Sequence, residues 1–197
     1  MSVIAIDSAS RGSAWVLRAT AAGGVLDSRE LPGGELDRFL AGALAAVLDG
    51  GVEAVVVLTG PGSYSGVRAG MAAALGLAGA RRLPLHGIGN LAAVAAAAPV
   101  SEGERFSVVA DAGRGGVYVA QFERRGADAE QTSEVWRSEA DAVDRRWPLF
   151  ASTAIPGLPV APVDPSRALG AAVPVALALP GLEAAGLSAV HAGATAR

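Results

Sequence analysis

The sequence predicts an α/β fold of two duplicated lobes, each a mixed sheet flanked by helices. Three observations carry this expectation. Short apolar runs of strand length alternate with longer runs at helical spacing. One of them, Ala54–Leu58, is continuous and valine-rich, the pattern of a strand covered on both faces. A strand–aspartate–small turn–strand unit also occurs twice. Val3-Ile4-Ala5-Ile6-Asp7, a turn with Arg11-Gly12 and an apolar strand open the chain. Val108-Val109-Ala110-Asp111, a turn with Arg114-Gly115 and Val117-Tyr118-Val119 repeat the pattern. A break at Pro99–Arg105 divides the chain into lobes at residues 1–100 and 101–197.

Each element has its own signal. Val3–Ile6 and Ala14–Ala19 read as a hairpin, and Val25–Leu31 as a third strand stopped by Pro32-Gly33-Gly34. Leu36, Leu40, Ala43, Leu44 and Val47 follow helical spacing up to Gly50-Gly51. After Ala54–Leu58 comes the glycine-rich run Gly60–Gly66, then a helix over Val67–Ala80, a strand over Leu83–Ile88 and a short helix over Leu91–Ala98. Phe106–Ala110 and Val117–Phe122 form the second hairpin. Residues 123–147 are charged and poorly patterned. Four prolines between 156 and 165 mark a surface connection, and Ser166–Leu179 reads as a helix interrupted by Pro174. Ala184–Arg197 shows little structural signal.

Composition narrows the chemistry. Of 197 residues, 51% are apolar and 18% charged, which suits a buried core and not a disordered chain. There is no cysteine, so disulfides, thiolate metal sites and cysteine nucleophiles are excluded. All 16 basic residues are arginine; without lysine there is no Walker lysine, Schiff base or lysine general base. A net charge of −3 argues against a broad nucleic-acid surface. His86 and His191 stand outside any ligand-pair spacing, so no metal site is expected, and no G-x-S-x-G elbow occurs. The opening residues read as a strand and not as a signal peptide, and Ala69–Ala80 is too short to span a bilayer; a cytoplasmic protein is expected.

Two segments invite a functional reading. Gly60-Pro61-Gly62-Ser63-Tyr64-Ser65-Gly66 lies between a buried strand and a helix, where backbone N–H groups can hold an anion. Its spacing is neither the dinucleotide fingerprint nor a P-loop. A tight turn with Ser63 or Ser65 capping the helix is the simpler reading of the same residues. Asp7, beside Ser8, can help to place metal-bound phosphate or can simply satisfy turn amides; Asp111 carries the same ambiguity. The helix over Val67–Ala80 has Arg68 as its only polar side chain, so both faces call for cover. Gly70, Ala74, Gly76 and Gly79 would admit a close partner.

These residues resemble the bacterial TsaB (YeaZ) family of tRNA threonylcarbamoyladenosine synthesis. Ile6-Asp7-Ser8-Ala9-Ser10 is similar to the family's opening Ile-Asp-Thr-Ser/Ala-Thr. Gly60-Pro61-Gly62-Ser63-Tyr64-Ser65-Gly66-Val67-Arg68-Ala69-Gly70 matches its Gly-Pro-Gly-Ser-Phe/Tyr-Thr-Gly-Leu/Val-Arg-x-Gly nearly throughout. Pro84–Ile88 and Asp111–Tyr118 follow in order. The family's Asp-Ala-Arg-x-Gly-Glu has Gly113 and Gly116 where arginine and glutamate are expected, its histidine before the first helix is Glu35, and its Pro-x-Tyr-Leu-Arg run does not occur.

The resemblance implies an actin-like/hexokinase-like fold and a non-catalytic subunit. Such a subunit pairs with a TsaD-type catalytic subunit, works with a TsaE-type ATPase, forms a homodimer when isolated, and meets tRNA only through the complex. It implies no intrinsic cofactor, with ATP or ADP at the interface of the complex. It makes Asp7, Ser8, Gly60, Gly62 and Ser63 a vestigial phosphate site. The partner interface expected is Leu36, Phe39, Leu40, Arg68, Gly70, Met71, Ala73, Ala74 and Leu77. Two other readings stand beside it: a small-molecule phosphotransferase, and a homodimeric structural protein without a role in tRNA modification.

Overall fold

The computed structural model describes residues 1–32, 41–42, 44–45 and 51–182. Leu36, Phe39 and Leu40 lie outside the described residues, as does most of the helix expected around them; residues 41, 42, 44 and 45 are helical.

Two five-position sheets repeat one plan. In the first, β1 (Ser2–Asp7), β2 (Ser13–Thr20), β3 (Val25–Pro32), β4 (Val52–Leu58) and β5 (Leu85–Ile88) take the order β3-β2-β1-β4-β5. In the second, β6 (Arg105–Gly113), β7 (Gly116–Arg125), β8 (Asp128–Gln131), β10 (Leu149–Ala151) and β11 (Ala161–Pro162) take the order β8-β7-β6-β10-β11. β9 (Trp136–Glu139) joins β7 beside β8. In both sheets the leading hairpin is antiparallel and the next two strands run parallel. The duplication expected from the repeated strand–aspartate–turn unit is thus carried by strand order and direction, and the fold is the duplicated actin-like type.

The helices do not follow the lobe boundary. α1 (Tyr64–Arg81) covers the outer face of the first sheet, where Val67, Met71, Ala74 and Ala78 pack on Ile4, Ile6, Val55 and Val57. α2 (Asn90–Ala97) follows the first sheet in sequence yet packs on the second: Leu91, Val94 and Ala95 meet Phe106, Val108, Ala120 and Phe122. α3 (Pro165–Ala178) follows the second sheet yet packs on the first: Leu169, Ala172, Val173 and Ala176 meet Val3, Ala5, Leu17 and Val56. α2 and α3 touch each other between the sheets. A chain cut near residue 100 therefore parts each sheet from the helix that completes its core.

Three local differences from the sequence reading have physical causes. β8 and β9 arise in the stretch that shows no pattern, because both are four-residue, mostly exposed strands on the edge of β7. β10 and β11 are also short, and β11 contains a proline. α3 runs through Pro174 without interruption. Proline removes the hydrogen bond to the carbonyl four residues earlier, that of Gly170. The turn residue Gly23 lies against that same carbonyl; a Cβ on Gly23 would come within 2.7 Å of Gly170 O and 3.3 Å of Pro174 Cδ.

Candidate functional site

The glycine-rich stretch is built around the exit of β1. At the end of that buried strand, Asp7 Oδ1 accepts the Ala9 N–H at 2.8 Å, an Asx turn that folds the chain back toward β2. This turn presses directly on residues 60–70. Ser63 N–H donates to Ala9 O (2.7 Å), and the Ser8 hydroxyl donates to Gly66 O (2.8 Å). A Cβ at Gly62 would strike Ala9 O, one at Gly66 would strike Ser8 O, and one at Gly70 would strike Ser8 Oγ. Three glycines four residues apart thus form the flat side on which the β1 exit sits.

The rest of the stretch is equally committed. Ser63 caps α1 through the Gly66 N–H (3.4 Å). Gly60 O accepts the Asn90 N–H (2.8 Å), and Pro61 O accepts from Asn90 Nδ2 (3.2 Å). Of the residues expected to form a phosphate site, Ser8, Gly62 and Ser63 make contacts between the loop and the β1 exit, and Gly60 bonds Asn90 at the start of α2. Asp7 stands apart: it is 6% exposed, and burial pushes its carboxyl up to about 6 against the opposing pull of the Ala9 N–H.

The second hairpin repeats this turn. Asp111 Oδ1 accepts the Gly113 N–H at 2.8 Å, as Asp7 does with Ala9. The two turns face each other across a cleft, and Arg11 of the first reaches Asp111 Oδ2 of the second at 3.3 Å. Gly113, at φ +76°, makes room: a Cβ there would come within 2.6 Å of Arg11 Nη2. Behind this pair is a cavity of about 280 Å³ lined by Ser10, Asn90, Ser152 and Thr153, with Ala9, Ala110 and Pro156. The sequence offered Arg11 and Asp111 as members of repeated turns, but nothing in it signalled that the turns meet.

The helix expected to dock a partner divides by phase. Gly70, Met71 and Ala74 belong to its sheet-facing side and are buried, so the expectation that they meet a partner is corrected. Ala73 and Leu77 are half-buried against the same core, which Leu44 also joins. Arg68 is exposed, as expected, and on its side of the helix stand Ala72, Leu75, Gly76 and Gly79, all exposed. Arg68 Nη1 donates to the Tyr64 hydroxyl (2.6 Å), with its guanidinium 5.2 Å from the Tyr64 ring centre. The signal for this phase was present: counting four, seven, eight and eleven residues from Arg68 gives those four positions.

Among the described residues, no group of three histidine, aspartate or glutamate side chains could hold a metal ion, and no helix is long and apolar enough to cross a membrane.

Against known proteins, the family model for TsaD, described as tRNA N6-adenosine threonylcarbamoyltransferase, matches residues 43–149, more than half of the chain. No curated protein matches. Among solved structures, YeaZ from Pseudomonas aeruginosa is similar at a TM-score of 0.73 and 23% identity, over 96% of this chain and 99% of that one. An uncharacterised protein with similarity to peptidase YeaZ from Pseudomonas aeruginosa is similar at 0.60 and 22% identity, over 82% of each chain. The chain belongs to the TsaD family of tRNA N6-adenosine threonylcarbamoyltransferase proteins, and its fold is that of a TsaB/YeaZ-like member.

Proposed function

We propose that this protein is a non-catalytic subunit of the tRNA threonylcarbamoyladenosine synthesis complex, and that it docks on a TsaD-type catalytic subunit through the outward face of α1. One observation carries the docking site: Ala72, Leu75, Gly76 and Gly79 form an exposed strip of small and apolar side chains. A Cβ at Gly76 or Gly79 would meet nothing within 4 Å. Glycine in an open helix interior costs about 1 kcal/mol relative to alanine, so its presence there is explained by something that must approach closely. Leu75 is 37% exposed and Tyr64 56% exposed, giving the strip a larger anchor at its centre and another at one end.

The strip also has a sign. α1 contains no carboxylate, and Arg68, Arg81 and the following Arg82 are all exposed. A partner with carboxylates around an apolar groove complements it. Two copies of this chain would bring arginines together, so self-pairing in isolation is the weaker use of the same face. In this reading a TsaE-type ATPase joins the assembled pair, tRNA is met through the complex, and ATP or ADP is held at its interface and not by this subunit. The support for a non-catalytic role is local: the glycine-rich stretch is occupied by the chain's own β1 exit.

The test is co-purification with the TsaD-type protein encoded in the same genome, using wild type and Leu75→Arg, with far-UV circular dichroism on both. Wild type is expected to form a stable complex, and Leu75→Arg to lose it while keeping its fold. Unchanged binding by a folded Leu75→Arg protein would place the interface elsewhere. Absence of any complex with the wild type would favour the homodimeric structural reading.

A further inference from the structure

The interlobe cavity has a chemistry that the docking face does not use. Its two charged groups have opposite signs and come from opposite lobes: Arg11 from the β1–β2 turn and Asp111 from the β6–β7 turn. Their contact is a single one, Nε to Oδ2 at 3.3 Å. A guanidinium has five N–H donors and a carboxylate about four lone-pair sites. With Gly113 N–H on Oδ1, both groups keep capacity for a further partner while remaining paired.

The neutral groups are arranged likewise. Asn90 is 5% exposed and lines the cavity; its Nδ2 donates to Pro61 O, and its Oδ1 remains as an acceptor. Ser10 Oγ accepts the Gly12 N–H, so its own proton is available to donate. The Ser152 and Thr153 hydroxyls add two more donors. Ala9, Ala110, Ala154 and Pro156 supply apolar wall between these groups.

This set does not suit a polyphosphate. Among the described residues, Arg11 is the one cationic side chain lining the cavity, and it already faces a carboxylate. A nucleotide tail would add several negative charges beside Asp111 with nothing to balance them. What fits is a small molecule that carries one charge of each sign, with a carboxylate for the free N–H groups of Arg11 and an ammonium for Asp111. A volume of about 280 Å³ is ample for a molecule of amino-acid size.

From the Arg11–Asp111 pair, the buried Asn90 and the three hydroxyls around one small cavity, we infer that the cleft binds a free α-amino acid, whose two charges bridge the lobes. Both charged groups are partly exposed, so solvent screens them and each adds only modestly to binding. Binding there is separate from docking on α1 and stands or falls independently of it.

The experiment uses the intact chain. The common L-amino acids are screened in small mixtures by saturation-transfer NMR, and positives are titrated singly by 15N–1H chemical-shift mapping. Ethanolamine, lactate, pyrophosphate and ATP are titrated in parallel. At least one amino acid is expected to saturate, with shifts at residues 10–12, 90, 111–113 and 152–154. Arg11→Gln and Asp111→Asn should each weaken it by about tenfold or more. Ethanolamine and lactate, which carry one charge each, should bind far more weakly. Three results would overturn the inference: no amino acid binding, shifts that map outside these residues, or pyrophosphate or a singly charged analogue binding as well. The shift map on wild type decides the question even if a substituted chain fails to fold.

Discussion

Asp7 shows how one side chain can record a fold's logic. It closes a strand that is buried on both faces, and its Oδ1 accepts the Ala9 N–H. Burial therefore outweighs the hydrogen bond, and its carboxyl titrates at about 6 instead of the ordinary 3.8. The sign follows from linkage. A carboxyl whose folded pKa is raised binds its proton more tightly in the folded state, so the protein gains stability as pH falls from above 6 toward 4. A shift of this size corresponds to about 3 kcal/mol across that window. Asp7→Asn keeps the Oδ1 acceptor and removes the charge. It should raise stability above pH 6 and flatten this part of the profile, measured as urea midpoints of wild type and variant at pH 5 and pH 7.5. Parallel profiles would show that Asp7 is not the group responsible.

The glycines around it argue in the same way. Gly62→Ala or Gly70→Ala should destabilise by about 1–3 kcal/mol, because one Cβ meets the Ala9 carbonyl and the other displaces the Ser8 hydroxyl from its bond to Gly66 O. Ser8→Gly should recover part of the Gly70→Ala loss by removing the hydroxymethyl group that the new Cβ meets. Thermal melts of the two single variants and the double variant check this coupling. The residue types of this stretch were legible from the sequence, and so was the choice between anion cradle and tight turn. What the sequence did not show is the seating of Ser8 and Ala9 on this stretch, a contact between segments more than fifty residues apart that no local pattern encodes.

At the scale of the element, α1 shows why an all-apolar helix is an ambiguous signal. Its sequence is apolar on every side because it is rich in alanine and glycine, not because every side is buried. The buried stripe uses Val67, Met71, Ala74 and Ala78, while Ala72, Gly76 and Gly79 are exposed. Small residues count as apolar in a pattern but bury little area, so hydropathy alone could not fix the phase; the lone Arg68 could. The two faces give opposite expectations. Gly76→Ala and Gly79→Ala should each stabilise the isolated chain by about 0.5–1 kcal/mol, since helix propensity rises and no contact is disturbed. The same changes should weaken the complex with a TsaD-type subunit if close backbone approach matters there. A chain that is both less stable and unaffected in binding would refute the assignment of this face. Salt separates the two kinds of assembly: the heteromeric complex should weaken as ionic strength rises, while any self-pairing, with arginines on both sides, should strengthen.

For the whole molecule, the consequential feature is the exchange of helices between lobes. The repeated hairpins were legible because each carries its own aspartate and turn, and these are local. Which sheet a helix covers is not local. In the structure Asn90, Leu91, Ala93, Val94, Ala95 and Ala97 of α2 are all buried, as in a helix with protein on every side. That is the signal first attributed to α1, and it belongs to the layer between the sheets.

Because α3 completes the first core and α2 the second, neither half holds a full core of its own. The inner face of the first sheet, with Val3, Ala5, Leu17 and Leu58, would lie bare in a fragment of residues 1–100. The second sheet would lack Leu91, Val94 and Ala95 in a fragment of residues 101–197. A bare apolar face of this kind is not sustained by a monomer. Each fragment alone should therefore show collapsed amide dispersion in a 15N–1H spectrum, and mixing the two should restore it. In the intact chain the lobes should unfold together. Trp15 reports on the first sheet, and Trp136 and Trp147 on the second lobe. Variants that keep fluorescence in one lobe at a time should give coincident urea transitions. A cooperatively folded 1–100 fragment, or two separated transitions, would mean that the exchanged helices are dispensable and that the lobes are independent domains after all.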